Sequence, residues 1–136
     1  MSRNSSQRIF TVEEANGLVP ELNEIFEAIR TEHRALDAVK PDIEKAAANA
    51  ALGGGSRHGR RYVEALMRIS DLVDRVTDMG VVVKDVEKGL CDFLFDRGDN
   101  LVFLCWKSGE PEVGWWHALE EGYPGRRDIE DLTDGL

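Results

Sequence analysis

Hydrophobic residues in the first eighty positions recur at steps of three and four, which is the spacing of one face of an α-helix. Thr11 and Glu14 precede the first series and form a capping box, in which a hydroxyl and a carboxylate bind two otherwise unpaired backbone N–H groups. The apolar positions of that series are Leu18, Leu22, Ile25, Ile29 and Leu36. Pro20 lies within the series, and we expect it to kink or interrupt the helix near its start because proline lacks a backbone donor.

A second helical series follows a glycine-rich break in the chain. Pro41 can restart a helix through an alanine-rich stretch, and residues 53–56 then have the composition of a flexible linker. The apolar positions of the second series are Tyr62, Leu66, Ile69, Val73 and Val76. Gly80 is expected to end this helix. Because two such stripes bury each other in an antiparallel pair, residues 11–80 predict a helical hairpin, packed like a coiled coil, with a flexible loop near residues 53–59.

The hydrophobic pattern changes after Gly80 to short runs that are typical of β-strands. These runs are residues 81–83, 90–95, 101–106 and 113–117. Turn-forming glycine, aspartate, asparagine and proline residues separate the last three runs. The sequence therefore predicts an antiparallel β-meander of three or four strands over residues 81–123, followed by an acidic tail over residues 124–136. Together with the hairpin, the meander makes a single α+β domain over residues 1–136, near the commonest domain size.

The turn lengths predict which strand residues face each other. If Phe95 pairs with Leu101 across one turn, and Lys107 pairs with Val113 across the next, the alternation of side chains defines two faces. One predicted face carries Cys91, Phe93, Phe95, Phe103, Cys105, Trp115 and His117. The other carries Leu90, Asp92, Leu94, Val102, Leu104, Trp106 and Trp116. A shift of one residue in this register would exchange the faces.

Both predicted faces of the meander are apolar, and two helices can cover only one of them. The other face needs shielding by the tail, by the alanine-rich segment or by a second subunit, because uncovered apolar patches of that size are unusual on monomers. We therefore expect a homodimer that buries part of the sheet. Cys91 and Cys105 lie opposite each other in this register, and we expect buried free thiols rather than a redox pair.

Charge and composition narrow the range of partners. Residues 81–136 carry 6 Lys/Arg against 13 Asp/Glu, so this half of the chain would repel a phosphate backbone, and no nucleic-acid partner is expected. No apolar run approaches the roughly 18 residues that a membrane span needs. Residues 1–9 lack the apolar stretch of a signal peptide. With two cysteines, the chain is expected to be cytoplasmic, with reduced thiols and no membrane contact.

Asp92 is the most unusual polar residue of the meander, because its strand neighbours are apolar and an unpaired buried carboxylate is costly. The expected partners for a charge-assisted hydrogen bond are Arg97, Lys84 and Arg126. A structural ion pair is the favoured interpretation, and a ligand-facing carboxylate is the alternative.

The ligands of a metal site in this region would be His117 together with Glu110, Glu112 or Asp92. No H-E-x-x-H spacing and no paired C-x-x-C is present, so we predict neither a metal nor another cofactor. Cys105 and His117 could make a nucleophile and a base. However, no visible feature of the sequence would activate a cysteine within an apolar strand, so no catalytic residue is predicted.

Six short motifs, spread over nearly the whole chain, carry a family resemblance. They are residues 10–20 (FTVEEANGLVP), 80–85 (GVVVKD), 89–93 (GLCDF), 104–110 (LCWKSGE), 116–117 (WH) and 122–126 (GYPGR). With them the chain resembles the DUF2203 family of prokaryotic proteins, except that it has Asp92-Phe-Leu94 where the family often reads D-F-P. The resemblance implies a small bacterial cytoplasmic protein with a helical hairpin and a C-terminal β part, and it supplies no catalytic residue.

Two functional hypotheses follow for the C-terminal half. The first is a non-catalytic binding or protein-interaction module, whose aromatic-rich meander recognises a small polar ligand or a partner protein. The second is a metal-dependent or small-ligand enzyme that uses His117 with Glu110 and Asp92, which would have to converge on one reacting atom. The candidate ligand-binding residues are Asp85, Asp92, Arg97, Trp106, Glu110, Trp116, His117 and Arg126.

Overall fold

The computed structural model describes residues 8–48 and 57–134, and it has the predicted α+β architecture. The helices are α1 (Val12–Ala48), α2 (Arg57–Asp78) and the short α3 (Ile129–Asp134). The strands are β1 (Val82–Asp85), β2 (Leu90–Asp96), β3 (Leu101–Lys107), β4 (Trp115–Ala118) and β5 (Arg127–Asp128). They form one antiparallel sheet in the order β1-β2-β3-β4-β5, where the sequence predicts three or four strands. Within the described ranges, no helix is long and apolar enough to cross a membrane.

The additional strand lies in the segment that the sequence marks as an acidic tail. Arg127 pairs with Trp116 at the edge of the sheet, and α3 follows directly. Leu132 in α3 is fully buried in the core, and the N–H of Ile129 donates to the carbonyl of Gly114 at 3.0 Å. Residues 129 and 132 have the spacing of one helix face, so this part of the tail can bury apolar side chains and belongs to the packed domain.

Helix α1 begins as predicted, but its prolines do not divide it. The N–H of Thr11 donates to Glu14 Oε1 at 2.9 Å, and the N–H of Glu14 donates to Thr11 Oγ1 at 3.0 Å, which confirms the capping box. The helix continues through Pro20 and Pro41, so the interruption that was one of the two outcomes expected at Pro20 does not occur, and the predicted restart at Pro41 is wrong. A proline costs a helix about 3 kcal/mol, and burial of each aliphatic side chain contributes about 1.5–3 kcal/mol. Buried stripe residues lie on both sides of Pro20, and together they outweigh that cost.

Helices α1 and α2 form the predicted antiparallel hairpin. Glu32 on α1 pairs with Arg68 on α2 at 2.9 Å, and Glu21 pairs with Arg75 at 3.1 Å. The partners come in opposite order along the two helices, which shows that the helices run antiparallel.

The ends of α2 only partly follow the prediction. Gly80 has a φ of 89°, the left-handed conformation expected of a glycine after a helix C-terminus. Residues 57–59 of the predicted loop belong to α2, because the helix begins at Arg57. The glycine-rich residues 53–56 lie outside the described part of the chain.

The hydrophobic core lies between the helices and one face of the sheet, which we call the inner face. Phe26 on α1 and Trp106 on β3 have ring centroids 6.2 Å apart, and Phe10 contacts Phe93 on β2 edge-on at 5.2 Å. The buried residues of the inner face are Cys91, Phe93, Val102, Leu104, Trp106 and Trp116. The opposite side of the sheet is called the outer face.

The register between β2 and β3 differs by one residue from the prediction. Asp96, rather than Phe95, pairs with Leu101, because the N–H of Arg97 donates to the carbonyl of Asn100 at 2.9 Å and closes a four-residue loop. The carboxylate of Asp96 supports this turn by accepting from the N–H of Gly98 at 2.8 Å. Because side chains alternate along a strand, a shift of one residue means that β2 side chains predicted to share a face with given β3 side chains lie on the opposite face from them.

The shift corrects the predicted faces. Cys91 lies opposite Trp106 on the inner face, so the predicted pairing of Cys91 with Cys105 is wrong, although both are buried free thiols as predicted. Asp92 lies opposite Cys105 on the outer face. Between β3 and β4 the predicted register is confirmed, with Cys105 opposite Trp115 and Phe103 opposite His117.

Candidate functional site

Three side chains with chemically active groups meet on the outer face, one from each of three neighbouring strands. They are Asp92 on β2, Cys105 on β3 and His117 on β4. Asp92 lies directly opposite Cys105, and His117 lies one outer-face position further along, so its ring reaches across β3. One ligand-type atom from each residue lies within 4.8 Å of the other two.

The carboxyl of Asp92 and the ring of His117 form a buried pair, and each residue is only 1% exposed. The distance from His117 Nε2 to Asp92 Oδ2 is 3.1 Å, and His117 Nδ1 lies 2.8 Å from the carbonyl oxygen of Ala118. A carbonyl oxygen can only accept, so Nδ1 carries a hydrogen and donates it. The contact between Nε2 and Oδ2 therefore holds a single proton, which either the ring or the carboxyl group contributes.

The environment of the pair favours a neutral carboxyl group. Burial raises the pKa of Asp92, and this is the largest effect on the carboxyl group. The positive charge and hydrogen bond of His117 and the charge of Lys84 act in the opposite direction and would lower the pKa. Asp92 was expected to pair with a lysine or an arginine. In the described contacts its partner is instead a histidine, which can share a proton without adding a permanent buried charge.

Cys105 is fully buried beside this pair. Burial, together with the neighbouring Asp92 carboxylate, raises the pKa of Cys105 to about 11, while Arg126 acts in the opposite direction. At neutral pH the group is therefore a thiol, which is a poor nucleophile. Activation requires either a metal ion or a new positive charge next to the sulfur.

Two polar atoms around the site are buried without a hydrogen-bond partner. They are Asp92 Oδ1 and Arg126 Nε. Most buried polar atoms in folded proteins are paired, and leaving one unpaired costs about 1–3 kcal/mol. Both residues also interact with Cys105 through charge and side-chain hydrogen bonding, so the two atoms belong to the surroundings of its sulfur.

An arginine–glutamate pair lies on the other side of Cys105. Arg126 donates from both terminal nitrogens to Glu110, at 2.8 and 3.0 Å, and its guanidinium packs over the rings of Trp115 at 5.0 Å and Tyr123 at 4.6 Å. Glu110 also accepts from the N–H of Lys107 at 2.8 Å. The pair thus ties the segment that follows β4 to the β3–β4 turn and shields part of the outer face.

An acidic groove of about 380 Å³ lies next to this arginine–glutamate pair, at the protein surface. Its lining includes Glu110, Glu112, Trp115, Asp128, Ile129 and Glu130. Trp115 is 36% exposed, whereas Trp106 and Trp116 are buried in the core. The groove therefore offers one aromatic ring among carboxylates, which is an arrangement suited to a cation.

The sequence-predicted site residues fall into two groups. Asp92, His117, Glu110 and Arg126 lie on or over the outer face, where Cys105 links the two pairs. The remaining four candidates have structural positions elsewhere. Trp106 and Trp116 belong to the inner face, and Arg97 stacks on the ring of Trp116 at 5.2 Å. Asp85 accepts a backbone N–H in the β1–β2 turn at 2.9 Å.

Sequence reasoning left Cys105 out of the candidate site. The predicted register puts Asp92 and Cys105 on opposite faces, and the sequence shows no feature that would activate a cysteine in an apolar strand. The observed pairing of Asp92 with Cys105 depends on the four-residue turn after Asp96. The Gly and Asp residues of that turn were visible in the sequence, but they do not specify its length.

Comparison with known proteins gives one match. Residues 8–129 match the family described as "Uncharacterized conserved protein (DUF2203)", which covers most of the chain. No curated protein and no solved structure matches.

Proposed function

The chain belongs to the DUF2203 family, whose description names no activity, and we propose that it is a non-catalytic interaction module that binds a basic segment of a partner protein. The observation that carries this proposal is the position of Trp115, part exposed in the wall of an acidic groove. Lysine and arginine side chains are attracted both to aromatic faces and to carboxylates.

The charge of the groove supports a cationic partner. Glu112 is exposed at its rim, and Asp128 contributes a second carboxylate. The half of the chain that builds the groove carries 13 Asp/Glu against 6 Lys/Arg, which attracts basic segments over longer distances. Arg126 is neutralised by its two bonds to Glu110, and its packing fixes the orientation of the tryptophan ring.

The burial of the reactive groups supports a binding role over an enzymatic one. Asp92, Cys105 and His117 are almost completely buried, and none of them is among the residues that line the groove around Trp115. Glu110, the third member of the enzyme hypothesis, holds Arg126 and a turn amide. An active site needs its groups to converge on a reacting atom that substrate can reach.

A peptide-binding experiment on the full chain tests the proposal. A short oligolysine peptide is titrated by calorimetry, with oligoglutamate of equal length as the charge-reversed probe. We expect saturable binding of oligolysine that weakens as salt is added. Glu112→Gln should weaken binding about twofold to fivefold, because exposed cation contacts contribute about 0.5–1 kcal/mol.

The matched control is Glu120→Gln, since Glu120 is an exposed carboxylate that does not line the groove. We expect this substitution to leave the affinity nearly unchanged, and Trp115→Ala to reduce it at least as much as the Glu112 substitution. Equal effects of the two Gln substitutions would show attraction to net charge alone and would contradict the proposal.

We also propose that the homodimer expected from the sequence forms through α2 rather than through the sheet. The Arg126–Glu110 pair covers part of the outer face, where Leu101 and Trp115 remain 36% exposed, and a longer exposed apolar stripe lies on α2. Val63, Leu66 and Met67 are exposed at the spacing of one helix face, with Met67 at 62%. The same stripe on a second copy would complete a two-fold interface.

Light scattering at micromolar concentration tests this association. We expect a dimeric mass for the native chain and a monomeric mass for Met67→Glu. Arg61→Glu is the control, because Arg61 is exposed on the opposite side of α2 and the substitution also adds negative charge. A monomeric native chain would refute the proposed dimer.

A further inference from the structure

We propose that Asp92, Cys105 and His117 form a binding site for a divalent transition-metal ion of the zinc class. The proposal is independent of the groove around Trp115. It rests on the kinds of donor atom, their distances, and the unpaired buried oxygen of Asp92.

The donor set identifies the class of metal. A carboxylate oxygen, a thiolate sulfur and an imidazole nitrogen are the three ligand types that Zn²⁺ uses in proteins. Mg²⁺ and Ca²⁺ take oxygen ligands and are disfavoured by a sulfur donor. Among the described residues, no fourth His, Cys, Asp or Glu joins this group, so one position of a tetrahedral ion is left for a water or an added ligand.

The geometry is close to that of a bound ion. Donors around a tetrahedral Zn²⁺ lie about 3.5 Å apart, given bond lengths of about 2.0–2.3 Å. His117 Nε2 and Asp92 Oδ2 are already 3.1 Å apart, and the three ligand-type atoms lie within 4.8 Å of one another. The widest of these separations, up to 4.8 Å, exceeds the tetrahedral value by about 1.3 Å, and small movements of the side chains would bring the three donors to one ion.

Three features of the surroundings prepare these residues for a metal. His117 Nδ1 donates to the carbonyl of Ala118 at 2.8 Å, which leaves Nε2 as the ligand nitrogen and points it towards Asp92. Asp92 Oδ1 is buried without a hydrogen-bond partner, and a cation would satisfy it. Arg126 lies beside Cys105, and its unpaired Nε–H could donate to a thiolate at that position.

The charges balance inside the protein. A divalent ion with one carboxylate, one thiolate and one neutral imidazole makes a neutral group, so it can be buried without leaving a net charge in the sheet. Binding replaces two protons, the one on the Cys105 sulfur and the one shared by Asp92 and His117, and both leave to solvent. No oxidant or reductant is needed.

Titration of the full-length, chelator-treated protein with Co²⁺ and Zn²⁺ tests the site. We expect one ion per chain, with tetrahedral cobalt absorption and a sulfur-to-cobalt charge-transfer band. Cys105→Ser should remove that band, and His117→Gln should weaken binding by about 100-fold or more, since even outer-shell substitutions cost about 10–100-fold. Cys91→Ser is the matched control, because Cys91 is also a buried free cysteine but lies on the inner face, and it should leave the band unchanged.

A second measurement serves if the site variants do not fold. Zn²⁺ should protect Cys105 of the native chain, but not Cys91, from alkylation in partly denaturing urea, as read by mass spectrometry. Absence of saturable binding, a spectrum without the sulfur band, or loss of the band in the Cys91 variant would overturn the proposal.

Discussion

Two arginines that are adjacent in the sequence each bind a glutamate, Arg126 through two nitrogens at depth and Arg127 through one nitrogen near the surface, and this difference predicts different contributions to stability. Arg126 binds Glu110 with side chains 10% and 26% exposed. Arg127 binds Glu121 at 3.1 and 3.2 Å, with side chains 46% and 33% exposed. The perturbation is a double-mutant cycle for each pair, built from Arg→Met and Glu→Gln substitutions.

The magnitudes follow from burial. Hydrogen bonds to charged groups contribute about 1.5–3 kcal/mol, whereas exposed ion pairs contribute about 0–1 kcal/mol. Arg126 also loses its contacts with the rings of Trp115 and Tyr123, at about 0.5–1 kcal/mol each. We therefore expect Arg126→Met to lower the free energy of unfolding by about 3 kcal/mol. Arg127→Met should lower it by about 1 kcal/mol, since Arg127 stacks on one ring as well.

Urea unfolding at pH 7, followed by circular dichroism, gives the free energies for the native chain, the single variants and the double variants. The coupling energy should be about 2 kcal/mol for Arg126 with Glu110 and below about 0.5 kcal/mol for Arg127 with Glu121. Added salt should weaken the exposed pair more than the buried pair. Equal coupling energies would refute the view that burial of Arg126 makes its pair stabilising.

Three further predictions concern the backbone and the thiols. Gly17→Ala should stabilise the protein by about 0.5–1 kcal/mol, because nothing is found within 4 Å of the added methyl group in α1. Gly89→Ala should destabilise it by about 3 kcal/mol, because Gly89 has a φ of 67° and the added methyl would lie 2.5 Å from Ser108 Cβ. Urea unfolding compares the two variants. Pro20→Ala should stabilise α1 by about 1 kcal/mol or more in the same assay, since it restores a donor within a continuous helix. Cys105 should resist thiol reagents at pH 8 until urea unfolds the chain. The pKa of the Cys105 thiol is raised to about 11 in the folded chain, from a value near 9.0 in the unfolded chain. The contribution of this thiol to the free energy of unfolding is therefore complete below the unfolded pKa and is lost as the pH rises towards the folded pKa. An equal loss of stability over that pH range in Cys105→Ser would contradict this.

The candidate site was only partly visible in the sequence. The sequence marks Asp92 as unusual because a carboxylate between apolar strand residues needs a partner, and His117, Glu110 and Arg126 lie in the short motifs of the C-terminal half. Their pairing was not predictable, because each partner comes from a different strand or loop. The acidic groove was also not predicted, since it joins the β3–β4 turn to the segment that begins α3.

The sequence by itself determined the elements whose signals are local. The capping box at Thr11, the apolar period of the two helices, and the glycine at position 80 specify the hairpin through interactions within a few residues of one another. The short β-branched and aromatic runs after Gly80, with turn-forming residues between them, likewise specify strands.

Only the tertiary structure decided how these elements combine. Whether α1 passes through Pro20 depended on the apolar surface that the sheet and α2 offer on both sides of it. The predicted register would put Asp92 opposite Leu104, whereas the structure has it opposite Cys105. The choice depended on a one-residue difference in turn length, which the hydrogen bond from the N–H of Arg97 to the carbonyl of Asn100 fixes. A strand has a period of two residues, so that small geometric choice moves every side chain to a different face, and here it brings three metal-binding groups together.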